Sequence, residues 1–476
     1  MHVNITYHYL THHIVPGPQS ASYFVTLLLL PIALLVPRTV LSRWQSILLF
    51  LPVMTALSVH AWWSIGGVDV ISVNMLLWAY FLLAFRDPWK DFRWMDGKPQ
   101  AGAVEAPTGL PAVTEDNNTS EHTTLLATAD DDTNPPEPVS KPPPPPPPQP
   151  QEIPYPASLR SRLPWIGILT LNIQLHNFKI ASPSHDKQQP PPPAFRTHRA
   201  FALQALLAFT RGYLVLDLTR AYIAHDSYFT DPRIPITAPL PFPLPLPPHL
   251  LRTMLAGAQA WALVSQIFYL PTLLPLALHA LHLLPQTWSP HLSPSFFGPP
   301  KAIFLHGLRG FWGTYWHQTM RFSVSGPGYW LAGVLGLRKS AFVRYAIVTT
   351  SAFGFSGVVH MGLVPPEPLW GTMGANGIRL CVGGFFWLQA GAILVEVLVA
   401  KGFVGVFGLR MWQKGWGLRA RMVLNALWLV AWFSLSIIPL AEAARQLGYW
   451  HHWTVPVSVW RGLRGEGWIT WPVLKS

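Results

Sequence analysis

The sequence predicts an all-α polytopic membrane protein with about eight transmembrane helices and disordered, Pro-rich cytoplasmic inserts. Three observations carry this expectation. Only 11% of the 476 residues are charged and 50% are hydrophobic, whereas soluble domains carry about 25% charged residues. Apolar runs of bilayer-crossing length recur along the chain. Lys and Arg gather between those runs, as the positive-inside rule expects, so the net charge of +12 does not call for nucleic acid as a partner. The single cysteine, Cys381, excludes an intrachain disulfide framework and a cysteine metal site.

Residues 1–96 hold the first apolar runs, at 23–37, 47–63 and 68–85. Pro31 interrupts the first, which spanning helices tolerate. Arg38 and Arg43 follow the first run, and Arg86, Lys90 and Arg93 follow the third, while residues 1–20 contain neither Lys nor Arg. This bias puts the N-terminus in the lumen and those arginines in the cytoplasm, and it argues against a cleavable signal peptide. The acceptor pattern Asn4-Ile5-Thr6 makes Asn4 a glycosylation candidate, whereas Asn117 and Asn118 fall on the cytoplasmic side.

Residues 97–160 change in kind. Acidic residues, Ser and Thr surround an unbroken proline run at 142–148, and such a segment buries too little apolar surface to fold alone. It reads as a disordered cytoplasmic spacer, with a docking tract for a proline-binding partner as the alternative. Residues 161–444 form the membrane core. Within it, 165–178 is apolar but too short to span, and 182–194 is a second disordered insert. The run 200–218 is of spanning length but carries Arg211 and Asp217, each needing a partner or a place near an end. Residues 228–248 are too rich in proline for a helix. The run 250–284, with Pro271 and Pro275, is one bent span or a span plus a re-entrant half-helix. Spans follow at 345–364, 378–400 (with Glu396 near its exit) and 422–441, and residues 445–476 form a Trp-rich tail.

The chemistry-bearing residues concentrate between 311 and 364. Read as a helix, 311–322 places Gly313, His317 and Arg321 on one strip and Trp312, Trp316 and Met320 on another. Such a helix is either an interfacial anchor with an incidental histidine or the wall of a site. In the apolar run 345–364, Phe353, Gly357 and His360 share a face, and Ser356 lies one turn before His360. An ionisable group inside a span points to function, because desolvating it is costly; a neutral His bonded to a neighbouring helix is the structural alternative. Gly357 clears room for a bound molecule or for another helix.

The ordered set Phe311, Trp312, Gly313, Trp316, His317, Gln318 and Arg321, followed by Ser356, Gly357 and His360, resembles the wax synthase-like branch of the membrane-bound O-acyltransferases. The closest correspondence runs over residues 288–364. Members of that family move an acyl group from acyl-coenzyme A to a hydroxyl in an endoplasmic-reticulum-type membrane. Many fungal members acetylate terpenoids or meroterpenoids, and plant members esterify fatty alcohols. The resemblance implies His360 and His317 as catalytic residues. It also implies acyl-CoA, expected to be acetyl-CoA, as co-substrate, with no bound cofactor and no metal. Direct acyl transfer needs a base for the hydroxyl proton and a donor for the developing oxyanion. His360 is the candidate base, and His317 the candidate for orienting the thioester or stabilising the oxyanion. Arg321 is a candidate for a coenzyme A phosphate, and Trp312, Trp316, Gln318, Ser356 and Gly357 line the expected substrate region. Wax-ester synthesis and a transporter with Arg211, Asp217, His360 and Glu396 as a relay are the alternatives. The absence of visible repeat symmetry weighs against the transporter, and the scarcity of carboxylates outside the linker weighs against a diphosphate-using prenyltransferase.

Overall fold

A computed structural model describes residues 21–64, 70–96, 151–175, 178–180, 197–283, 295–339, 341–368, 371–407 and 415–470. Asn4, the 182–194 insert and most of the 97–160 linker lie outside them. Among the described residues, six helices are long and apolar enough to cross a membrane: Arg43–Ser64, His198–Ile223, Pro248–Ala280, Phe342–Met361, Ala375–Gly402 and Gly415–Gln446. The protein is therefore a helical, multi-pass membrane protein. The expected count of about eight is not reached among the described residues. The first apolar run forms α1, Ala21–Leu35, and the third forms α3, Val70–Ala79, which widens into a π-helical turn at Tyr80–Phe85. At about 1.5 Å per residue these helices fall short of a hydrocarbon core about 30 Å thick.

α1 and α3 pack with α2, Arg43–Ser64, at the N-terminal end of the bundle. A one-turn helix α4, Pro88–Asp91, starts where Asp87 accepts the N–H of Trp89, with proline at the first helical position. It leads into a feature that the all-α reading did not include. β1, Phe92–Asp96, is the centre of a three-stranded antiparallel sheet, flanked by β2, Gln151–Ile153, and β3, Phe178–Ile180. Strands this short carry little period-2 signal, so the sequence does not announce them. They are held by aromatic edges, with Trp94, Phe92 and Trp165 all packed edge-on against Phe178. Between β2 and β3 runs α5, Leu159–Leu171, which is the short apolar piece expected near 165–178. Its buried Arg162 donates to Leu35 O at 2.9 Å, satisfying a carbonyl that the end of α1 leaves open.

α6, His198–Ile223, packs along α7, Pro248–Ala280. α7 is one continuous helix that contains both Pro271 and Pro275, which decides between the two readings of 250–284 in favour of a single helix. Asp217 is buried on α6 and accepts the backbone N–H of Trp460, so its partner comes from the C-terminal tail; Arg211 is exposed. The tail folds back: Arg220 donates to His452 O at 2.9 Å, and Tyr213 donates to Val457 O at 2.6 Å. The proline-rich loop before α7 is pinned by Arg252. Its guanidinium pairs with Asp226 through two 2.9 Å bonds and also donates to Ile236 O and Ala238 O at 2.8 Å.

Candidate active site

α8, Lys301–Gly310, carries a kink at Gly307, where φ is 60° and ψ is −137°. Only glycine adopts that conformation without strain. The kink turns the backbone N–H groups of Leu308 and Arg309 outward, and both are accepted by the carboxylate of Glu396, at 2.7 and 3.0 Å. Glu396 belongs to α11, Ala375–Phe407, so a glutamate inside a spanning helix caps the break in α8.

Beyond Gly310 the chain widens into a π-helical turn, Phe311–Tyr315, closed by Trp316 N–H donating to Phe311 O at 2.7 Å. Trp316 itself is extended, with φ −63° and ψ 147°, and a new helix α9, Arg321–Val334, starts five residues later. The expectation of one helix over 311–322 is therefore corrected, and Gly313, His317 and Arg321 do not form a single strip. Hydrogen bonding explains the break. The Gln318 side-chain amide donates to Trp312 O at 3.0 Å and Trp316 O at 2.6 Å, and Gly298 N–H donates to Tyr315 O at 2.8 Å. Carbonyls that a continuing helix would use are taken.

His317 thus sits on the loop between α8 and α9, with Phe268 of α7 at 5.0 Å and Trp316 at 5.5 Å between ring centroids. Its Nδ1 is enclosed and has no hydrogen-bond partner among the described residues. Burial pushes its pKa down to about 3, and the proximity of His360 acts in the same direction. The imidazole is therefore neutral at ordinary pH, and a chain of ring contacts through Trp316, Trp312 and Phe386 runs from it to the His360 imidazole.

His360 lies one residue before the end of α10, Phe342–Met361. Its Nδ1 is 2.7 Å from Ser356 O. A carbonyl only accepts, so Nδ1 carries the proton and Nε2 keeps its lone pair. The opposite constraint is a stack on Phe386 of α11, with centroids 4.2 Å apart. Ser356 thus reaches His360 through its backbone carbonyl. Gly357 faces α11: a Cβ there would meet Trp387 Nε1 at 2.7 Å and Gly383 O at 3.1 Å. Of the two uses open to this glycine, close approach of a helix is the one the structure displays.

The indole of Trp312 joins the two halves. It lies 5.4 Å from Phe353 on α10 and 6.3 Å from Phe386, and its Nε1 donates to Gln389 Oε1 at 3.2 Å. Trp432 on α12, Gly415–Ser436, donates to the same oxygen at 2.9 Å, and the Gln389 amide donates to Phe385 O. Gln389 is fully buried and hydrogen-bonded through both its oxygen and its nitrogen. Arg321 is half-buried at the start of α9. Sequence reasoning missed Gln389 and Phe386 and gave Glu396 only a passing role. The available signal was two polar residues seven apart in an otherwise apolar run, which places them on one face of α11. No group of three or more His, Cys, Asp or Glu able to hold a metal occurs among the described residues.

Residues 293–365 match the model of the Membrane bound O-acyl transferase family. Acetyltransferase ple2 of Rhodocybe pseudopiperita is 31% identical over 248 residues, covering 50% of this chain and 55% of that protein. Acetyltransferase eriL of Hericium erinaceus is 26% identical over 319 residues, covering 65% of this chain and 74% of that protein. Acetyltransferase nanB of Aspergillus nanangensis is 38% identical over 74 residues, 15% of this chain and 17% of that protein. The match thus spans about half the length of ple2, and no solved structure matches. The stretch that carries His317 and His360 is the one that matches the membrane-bound O-acyltransferase family, and over a longer span the chain resembles fungal acetyltransferases.

Proposed function

We propose that this protein is a membrane O-acyltransferase that moves an acetyl group from acetyl-CoA to a hydroxyl of a hydrophobic acceptor, such as a terpenoid or meroterpenoid. The observation that carries this reading is a His360 whose Nε2 keeps its lone pair, linked through the Phe386, Trp312 and Trp316 rings to His317, inside the stretch that matches the acyltransferase family. In the proposed reaction the acceptor oxygen attacks the thioester carbonyl while its proton passes to His360 Nε2. The carbonyl π pair becomes the oxyanion of a tetrahedral intermediate, and the N–H of neutral His317 donates to it. Collapse breaks the C–S bond, and the departing sulfur takes the proton back from His360. The ester and free coenzyme A are the products, with no acyl-enzyme and no metal. Arg321 is proposed to meet a coenzyme A phosphate as a charge-assisted donor.

An endoplasmic-reticulum location and cytoplasmic access for the acyl donor are part of the same reading, supported by the placement of Arg344 and Lys401 at one end of the α10–α11 pair. The test is ester formation by membranes expressing the protein, supplied with labelled acetyl-CoA or palmitoyl-CoA and a panel of hydroxylated terpenoids and fatty alcohols. The expected result is acetyl esters of the terpenoids, lost in His360→Ala at normal protein abundance and severely reduced in His317→Ala. Near-normal turnover by His360→Ala would remove it as the base, and selective use of palmitoyl-CoA with fatty alcohols would make the protein a wax synthase.

A further inference from the structure

We propose that the N-terminal end of α11 and the side chain of Arg379 form a binding pocket for an oxyanion, the carboxylate or phosphate of an amphiphile. A cavity of about 370 Å³ opens there, lined by Trp63, Pro366, Asn376, Gly377 and Arg379 among others. Neither His317 nor His360 is among its lining residues.

Two independent features suit it to an anion. The first is the helix start: α11 begins at Ala375, and the first intrahelical-type bond of its backbone is Ile378 N–H to Gly374 O. The N–H groups of Ala375, Asn376 and Gly377 find no acceptor among the described residues, and they form the positive end of the helix dipole. The second is Arg379 itself. It is only 5% exposed, and no carboxylate among the described residues lies within ion-pairing distance of it. Its Nε is enclosed and unpartnered, and its two hydrogen bonds, to Trp63 O and Asn376 Oδ1, are both 3.4 Å long, beyond the usual range. The guanidinium rests over Trp62 and Trp63, at 5.2 and 4.9 Å from their ring centroids. A buried cation without a counter-ion is a costly arrangement, and an oxyanion entering the cavity supplies one as a charge-assisted acceptor.

Apolar surface borders the charge. Trp63 is 55% exposed and Pro366 is exposed beside it, so the anionic group sits on Arg379 and the apolar body lies along Trp63. The pocket is at the His360 end of the helix pair. Trp62 Nε1 donates to Val358 O at 2.9 Å, two residues before His360. Along α11, Arg379 precedes Phe386, the ring stacked on His360, by about two turns. The oxyanion has two sources at such a position: a carboxylate borne by an incoming substrate, or the headgroup of an anionic lipid.

The test is binding of spin-labelled stearate, spin-labelled phosphatidic acid and spin-labelled phosphatidylcholine to the full chain in phosphatidylcholine nanodiscs, at a pH where the carboxylate is ionised. The expected result is an immobilised component for one or both anionic probes over phosphatidylcholine. Preference for stearate assigns the carboxylate source, and preference for phosphatidic acid assigns the lipid headgroup. Asn376→Asp places a carboxylate in the pocket without changing side-chain size, so it satisfies Arg379 from within and weakens anionic binding by about tenfold or more. Arg379→Gln has the same effect, and the aspartate variant keeps the test intact if the glutamine variant does not fold. Equal binding of all three probes, or an anion preference unchanged in Asn376→Asp, overturns the proposal.

Discussion

His360 stacks on Phe386, with ring centroids 4.2 Å apart and planes inclined by 29°. The same phenyl ring lies 6.3 Å from the Trp312 indole, so one side chain of α11 touches both halves of the candidate site. The stack and the Ser356 carbonyl together hold the imidazole from its face and from Nδ1, which leaves Nε2 directed by the protein rather than by chance rotation.

Phe386→Ala is therefore expected to lower kcat for the proposed acetyl transfer about tenfold, with little change in KM, because aromatic contacts of this kind are worth about 0.5–1.5 kcal/mol beyond area burial. Phe386→Leu, which keeps bulk without the π face, should fall between. Steady-state kinetics on membranes measure this. A wild-type kcat in Phe386→Ala would show that the Ser356 contact alone orients the ring.

Gly307 and Glu396 give a second prediction. An alanine at 307 meets two obstacles: a backbone at φ 60°, ψ −137°, and a methyl group that would sit 2.6 Å from Glu396 Oε2. Gly307→Ala is expected to destabilise the protein by roughly 2–4 kcal/mol, read as a lower unfolding midpoint in detergent. Glu396→Gln retains one acceptor oxygen for the two N–H groups and should cost less than Glu396→Ala, which leaves both without an acceptor. If Glu396→Ala unfolds at the wild-type temperature, the carboxylate is not holding the kink.

These residues mark the boundary of what the sequence makes legible. Spans announce themselves through length and apolarity, so α2, α6, α7, α10, α11 and α12 fall close to the apolar runs that predict them. His360 stands out because ionisable groups are rare in such runs. The break at Trp316 is not legible in this way. It depends on Gln318 reaching back to two carbonyls and on Gly298 arriving from another segment, and a helical-wheel reading of 311–322 contains neither contact. Gln389 was missed for a related reason: its importance lies in two tryptophans, 312 and 432, that converge on it from opposite sides in sequence. Tertiary convergence of this kind leaves no periodic trace.

His317 yields a prediction about acid. Burial holds its folded pKa at about 3, against about 6.5 for an unperturbed histidine in the unfolded chain. Between those values the unfolded state binds more protons than the folded one, so stability rises with pH across that window. The contribution is complete above about pH 6.5 and is lost as pH falls toward 3. His317→Gln removes this titration while keeping a neutral polar side chain. Its unfolding midpoint in detergent should fall less than that of the wild-type protein between about pH 6.5 and pH 4. Parallel curves for the two proteins would mean that His317 takes up its proton in the folded state as readily as in the unfolded chain.

The small sheet makes the last prediction, on the linker that the sequence assigns to a spacer. β1 and β2 are antiparallel, with Trp94 opposite Ile153, Met95 opposite Glu152 and Asp96 opposite Gln151. Asp96 and Gln151, the residues that flank 97–150, are therefore side by side, at the separation that a two-residue hairpin turn bridges. The strands do not need the segment to hold them. Phe92 and Trp94 are buried against Phe178, and Lys179 of β3 reaches Glu152 of β2 at 2.6 Å. Replacing residues 97–150 with Asn-Gly, the pair suited to a type I′ turn, should leave membrane abundance, the unfolding midpoint and acetyl transfer unchanged. A fall in the midpoint would mean that the register across Asp96 and Gln151 is not what joins these strands. Loss of transfer at an unchanged midpoint would assign the segment a part in catalysis or in holding a required partner.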